Sequence, residues 1–161
     1  DPKARAEMFD ECIDILTLIY RSKPFDYDGK HYHLKLSLVD EQYYPPQPVQ
    51  QPRIPLWVPA VWPRPKSLQR ALKCDGVFVE KVNQEPVTPE DVRNLKAYVI
   101  ENRALTTPFD IIATGSMAGL EPGQRQEQLQ GWEQAGATWW IEGMWDAAAG
   151  EVEKRIGSRL R

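Results

Sequence analysis

Leu56-Trp57-Val58-Pro59-Ala60-Val61 carries the fold argument. It is a short apolar run of the kind seen in a strand buried on both faces. Pro63-Arg64-Pro65 interrupts it, and residues 66–73 then place Leu68, Ala71 and Leu72 at helical spacing. Reading onward, Gly76-Val77-Phe78-Val79 is a second buried strand. Thr88-Pro89-Glu90-Asp91 then supplies an N-cap, a proline for the first turn and two early acids, and launches a helix through Val92, Leu95, Tyr98 and Val99. Phe109-Asp110-Ile111-Ile112-Ala113-Thr114 predicts a third strand and residues 124–134 a third helix, with Gly136 placed as its C-cap. Ala137-Thr138-Trp139-Trp140-Ile141 predicts a fourth strand, and Val152, Ile156 and Leu160 stripe a last helix. Four consecutive β-then-α units imply a parallel sheet with right-handed crossovers. Four units are half of a (β/α)8 barrel, and 161 residues fall short of the roughly 200–250 a complete one needs. The fold class is therefore α/β, a partial (β/α)8 barrel.

Upstream the pattern changes. Residues 3–20 read as an amphipathic helix, with Phe9, Cys12, Ile13, Leu16, Ile19 and Tyr20 on one face. It stops near Pro24. Asp28-Gly29 between short runs predicts a β-hairpin over residues 25–34. The prolines at 45, 46, 48 and 52 leave the next stretch extended. The expected organisation is one domain, 1–161, with a helix over 1–22, a hairpin and proline-rich insertion over 23–54, and the βα units over 55–161.

Composition narrows the function classes. Lys and Arg total 20 against 23 Asp and Glu, a net charge of −3, which argues against a nucleic-acid partner. No apolar run reaches the roughly 18–20 residues a membrane span requires, and no signal-peptide layout is visible. Two cysteines, with no Cys-x-x-Cys pairing, suggest a reducing cytoplasm rather than a disulfide framework or zinc site.

Several blocks resemble the bacterial luciferase-like monooxygenase family. They are Gly29-Lys30-His31-Tyr32, the run from Pro46 through Val58, Arg70-Ala71-Leu72-Lys73-Cys74-Asp75-Gly76-Val77-Phe78, Val87-Thr88-Pro89-Glu90-Asp91, and Ala135-Gly136-Ala137-Thr138-Trp139-Trp140-Ile141-Glu142. Their joint order carries the resemblance, which spans essentially the whole chain. It implies a (β/α)8 barrel with an insertion, of which this chain matches the C-terminal half, and a reduced flavin mononucleotide or a deazaflavin as cofactor. It further implies that a lone copy, without the other half, is not a competent oxygenase.

In a barrel the chemistry sits at the C-terminal ends of the strands, so candidates are sought there. For the cofactor these are Trp62, Arg64 and Lys66, where a helix N-terminus with nearby cations suits a flavin phosphate, and Thr114 and Ser116, which offer hydroxyls. Against this stands a solvated loop whose cations only aid solubility. For the substrate pocket they are Glu80, Trp140 and Glu142, set against surface acids and core indoles. Alternation sends Trp139 and Trp140 to opposite faces. His31 and His33 share a face if on a strand, but no further ligand is fixed nearby, so no metal is assigned. Half a barrel leaves two unpaired sheet edges and one uncovered face. Val58, Val77, Val79, Ile112 and one of Trp139 or Trp140 are expected to line that face. The expected partner is a second copy, in a homo-oligomer, or the missing N-terminal half. Two other functions stay open. One is a non-catalytic paralogue acting as a binding or oligomerisation module. The other is an unrelated doubly wound nucleotide-binding domain, disfavoured because no glycine-rich turn follows the first strand.

Overall fold

A computed structural model describes residues 1–143 and 148–157. The chain divides into two compact units, Asp1–Pro55 and Leu56–Arg161. Within the first unit the hairpin is held to the first helix.

That helix, α1 (Pro2–Ile19), opens on Asp1, whose side chain accepts the Lys3 N–H at 2.9 Å, with Pro2 in the first turn. Strands β1 (Asp26–Asp28) and β2 (His33–Lys35) pair antiparallel, Tyr27 opposite Leu34, and Gly29 N–H closes the turn on Tyr32 O at 2.9 Å. The N–H groups of Lys30, His31 and Tyr32 all donate to the Glu11 carboxylate on α1, at 2.8 to 3.2 Å. One helical turn earlier Glu7 takes Lys30 Nζ at 2.6 Å and lies 3.0 Å from His31 Nε2. Burial works against charge on Glu11, but the three backbone donors outweigh it and hold its carboxyl below the usual range. Hydrogen bonds from Lys30 and His31 bring Glu7 down to about 2. Two carboxylates of one helix face thus hold the hairpin turn.

The second unit alternates strand and helix: β3 (Trp57–Trp62), α2 (Pro65–Leu72), β4 (Gly76–Lys81), α3 (Pro89–Asn102), β5 (Asp110–Gly115), α4 (Pro122–Ala135), β6 (Trp139–Glu142) and α5 (Ala149–Gly157). Its sheet runs β3-β4-β5-β6, every neighbouring pair parallel. A doubly wound sheet reverses its strand order at a switch point; among the described strands this one does not, and it winds as a barrel does. Local chemistry ends the helices where expected. Thr88 and Asp91 form a reciprocal capping box on α3. Gly136 closes α4 in the left-handed conformation at φ 110°, and Trp132 and Glu133 carbonyls accept its N–H. Leu160 of the expected last stripe lies outside the described residues.

Register sorts the side chains, because paired residues of parallel strands share a face. Val58 and Ala60, Val77 and Val79, and Ile111 and Ala113 form one face and are buried, with Trp140 at its margin. Helices cover it, contributing buried Leu68 and Ala71 from α2, Val92, Leu95 and Val99 from α3, and Trp132 and Ala135 from α4. Ring contacts of Trp140 with Trp132 (5.5 Å) and Trp62 with Tyr98 (6.1 Å) confirm the side. The other face carries Trp57, Pro59, Val61, Phe78, Glu80, Asp110, Ile112, Thr114, Trp139 and Ile141. This corrects the expected lining. Ile112 and Trp139 lie on the face opposite α2, α3 and α4, Ile112 fully buried there and Trp139 exposed, but Val58, Val77 and Val79 pack under the helices. A continuous apolar run has no alternation to tell which parity meets the helices.

Candidate functional site

Two residues on from the pairs Pro59–Phe78 and Phe78–Ile112, the register places Val61, Glu80 and Thr114 in one transverse row, with Ile141 paired to Thr114. This row crosses the uncovered face at the C-terminal ends of the strands. It sets a carboxylate and a hydroxyl side by side between two aliphatic residues. Glu80 and Thr114 are both exposed, and neither side chain has a hydrogen-bond or ion-pair partner among the described residues. Of the candidates read from the sequence, these two are the ones that the sheet brings together on the uncovered face.

The loops above the row hold three more. Arg64 caps α2 with an extended backbone, its N–H donating to Val61 O at 2.7 Å, and Lys66 lies in the first turn. Both are exposed and make no ion pair among the described residues. Ser116 follows β5, its hydroxyl accepting the Ala118 N–H at 3.2 Å. Cations without ion-pair partners at a helix N-terminus are a donor set an anionic group requires, and Ser116 offers a hydroxyl at the end of another strand.

Trp62, Trp140 and Glu142 sit differently. Their parity turns them to the helix face, Trp62 against Tyr98 of α3 and Trp140 against Trp132 of α4. Glu142 accepts Met117 N–H at 2.8 Å and Trp140 Nε1–H at 3.1 Å, so it ties the loop after β5 to β6. Gly115 leaves room for this arrangement: a Cβ there would lie 2.6 Å from the Trp140 ring. Lys81, also of this parity, pairs with Asp91 at 3.3 Å. Burial opposes charge on Asp91, yet hydrogen bonds from Thr88 and Lys81 outweigh it and keep that carboxyl below its ordinary value.

The histidines go to separate carboxylates, His31 to Glu7 and His33 Nδ1 to Asp28 at 2.6 Å. No cluster of three or more metal-ligating side chains occurs among the described residues. No helix among them is long and apolar enough to cross a membrane.

Asp110 is a residue the sequence reading passed over. It accepts Trp57 Nε1–H at 3.1 Å and Thr138 Oγ1–H at 2.9 Å, while Thr138 Oγ1 in turn accepts Ile111 N–H at 3.0 Å. An acid at the first position of an otherwise apolar strand was the available signal.

A family model described as luciferase-like monooxygenase matches residues 1–118. The chain belongs to the luciferase-like monooxygenase family. The family's barrel agrees with the four-stranded parallel sheet and its alternating helices, which correspond to half of such a barrel. Its members are generally flavin-dependent. The match ends in the loop after β5, so the block from Ala135 to Glu142 lies beyond it. No curated protein and no solved structure matches the chain.

Proposed function

We propose that this chain is the C-terminal half of a flavin-dependent monooxygenase or oxidoreductase barrel and lends its strand ends to a pocket for reduced flavin and substrate. The observation that carries the reading is the row holding Glu80 and Thr114, two polar groups without partners at the strand ends where barrel chemistry takes place. Family membership supplies the reaction class.

The residues present suit a flavin in chemical type. Arg64 and Lys66, with the first turn of α2 and the Ser116 hydroxyl, would meet the phosphate of flavin mononucleotide or of a deazaflavin. When bound, the reduced flavin supplies the electrons of the reaction. Glu80 and Thr114 would orient the polar edge of a ring or substrate, with Val61 and Ile141 shielding it from water. Trp62, Trp140 and Glu142 would act from behind by holding the loops in place. A cytoplasmic setting is proposed because Cys12 and Cys74 form no disulfide.

Fluorescence titration of the chain with flavin mononucleotide, and separately with a deazaflavin, tests this. Saturable binding is expected, weakened about tenfold by Arg64→Ala with Lys66→Ala, the equivalent of roughly 1.4 kcal/mol. A second reading, a non-catalytic binding or oligomerisation module, draws on the exposed Trp139 and Ile141 of the uncovered face. Absence of binding to either cofactor at high concentration would favour it.

A further inference from the structure

The strand that carries Glu80 ends on Lys81, and the two side chains leave it on opposite faces, Glu80 on the row and Lys81 toward α3. Lys81 Nζ lies 3.3 Å from Asp91 Oδ2 in the first turn of α3 and 3.8 Å from Glu85 Oε2 in the loop between. The same Asp91 oxygen accepts Thr88 N–H at 2.9 Å and Thr88 Oγ1–H at 2.7 Å. The Lys81 side chain is 24% exposed and that of Asp91 16%, so this pair is screened far less than one on the open surface. Strands β3 and β5 flank β4, and α3 follows it, so the arrangement lies inside a complete βα unit of the barrel.

The loop that this pair encloses is strained. It turns tightly over Val82–Gln84, Glu85 N–H closing on Val82 O at 3.3 Å, and Asn83 and Gln84 both take a φ of 58°. Two successive non-glycine residues in the left-handed region persist only where their surroundings fix them, and such conformations cluster at ligand sites. Lys81 supplies ties on the far side of the strained pair, to Glu85 directly after it and to Asp91 within α3. One ammonium thus joins the end of β4, the loop and the helix at the rim where Glu80 stands.

We propose that Lys81 is a positioning residue: by tying the β4–α3 loop to the first turn of α3 it fixes the direction from which Glu80 meets a ligand. The proposal rests on the flavin reading of the strand-end row and adds to it a residue that touches no ligand itself. Removing the ammonium leaves the Thr88–Asp91 capping box in place, so α3 keeps its cap while the loop and the strand end gain freedom. Lys81→Met retains most of the apolar stem and removes the charge, which separates positioning from packing.

Fluorescence titration of the full chain with flavin mononucleotide, and with a deazaflavin, is the test. Lys81→Met should weaken binding about fivefold, and Lys81→Arg should bring it back to within about twofold of the parent. Asp91→Asn, which keeps a capping oxygen and loses the charge, should reproduce the loss from the other partner. Because Lys81 acts through Glu80, adding Lys81→Met to Glu80→Gln should weaken binding no further than Glu80→Gln alone, whereas a general structural loss would add to it. If the parent binds neither cofactor, the flavin reading falls and this inference with it. If the parent binds, unchanged affinity in Lys81→Met, no recovery in Lys81→Arg, or losses that add to that of Glu80→Gln overturn this inference alone.

Discussion

At the N-terminal end of the parallel sheet, Asp110 receives Trp57 Nε1–H and Thr138 Oγ1–H, its own N–H reaches Asp75 O at 2.9 Å, and Asp75 exchanges bonds with the Leu56 backbone. Arg103 adds to that end, donating to Cys74 O and Thr107 Oγ1 and lying over the Phe109 ring at 5.0 Å. At the opposite end the row of Val61, Glu80, Thr114 and Ile141 leaves a carboxylate and a hydroxyl without partners. Aromatic packing follows the same division: Trp57 meets Phe78 at 6.0 Å and Trp139 at 5.3 Å, below the polar row. The lesson is a division of labour common to barrels, in which one rim secures the strands and the other keeps polar groups available for a ligand.

The comparison can be broken first at the secured rim. Asp110→Ala removes the acceptor of two side-chain hydrogen bonds and is expected to cost about 2–3 kcal/mol in chemical denaturation of the second unit. If stability were unchanged, the network would not be what secures that rim. A smaller loss, about 1 kcal/mol, is expected for Thr88→Ala, which opens the α3 capping box. This change also has a pH signature. Asp91 is held below its ordinary value, so its contribution is complete above the unfolded pKa and fades as pH falls through the lower, folded one. Stability measured between pH 5 and 2 should fall less steeply in the variant than in the parent. A parallel pair of curves would show that Thr88 does not set the Asp91 carboxyl.

The smallest stability effects belong to the other rim. Glu80→Gln and Thr114→Val each remove a group without a partner, and denaturation should shift by no more than about 0.5 kcal/mol. Flavin affinity is where they should differ from the parent, falling severalfold. Loss of stability without loss of binding would reverse the roles assigned to the two rims.

Much of the fold was legible because its signals are local. Thr88-Pro89 and Gly136 mark helix ends through their own backbone preferences, and the apolar runs mark the strands. The site was legible only as a set of strand-end positions. Which of those positions share a face was not, since Val77 and Phe78 look alike as members of a buried run yet point to opposite sides. Asp110 was missed because its partners lie 53 and 28 residues away, at Trp57 and Thr138.

From the sequence alone came the alternation of strands and helices, the parallel sheet it implies, the helix caps and the family. These depend on periodicity and on short-range backbone chemistry, which neighbours along the chain settle among themselves. Tertiary structure decided the parity of each strand, the grouping of Glu80 with Thr114, and the bonding of the hairpin turn to Glu7 and Glu11. Each of those depends on register between segments distant in sequence, where a shift of one residue exchanges the two faces.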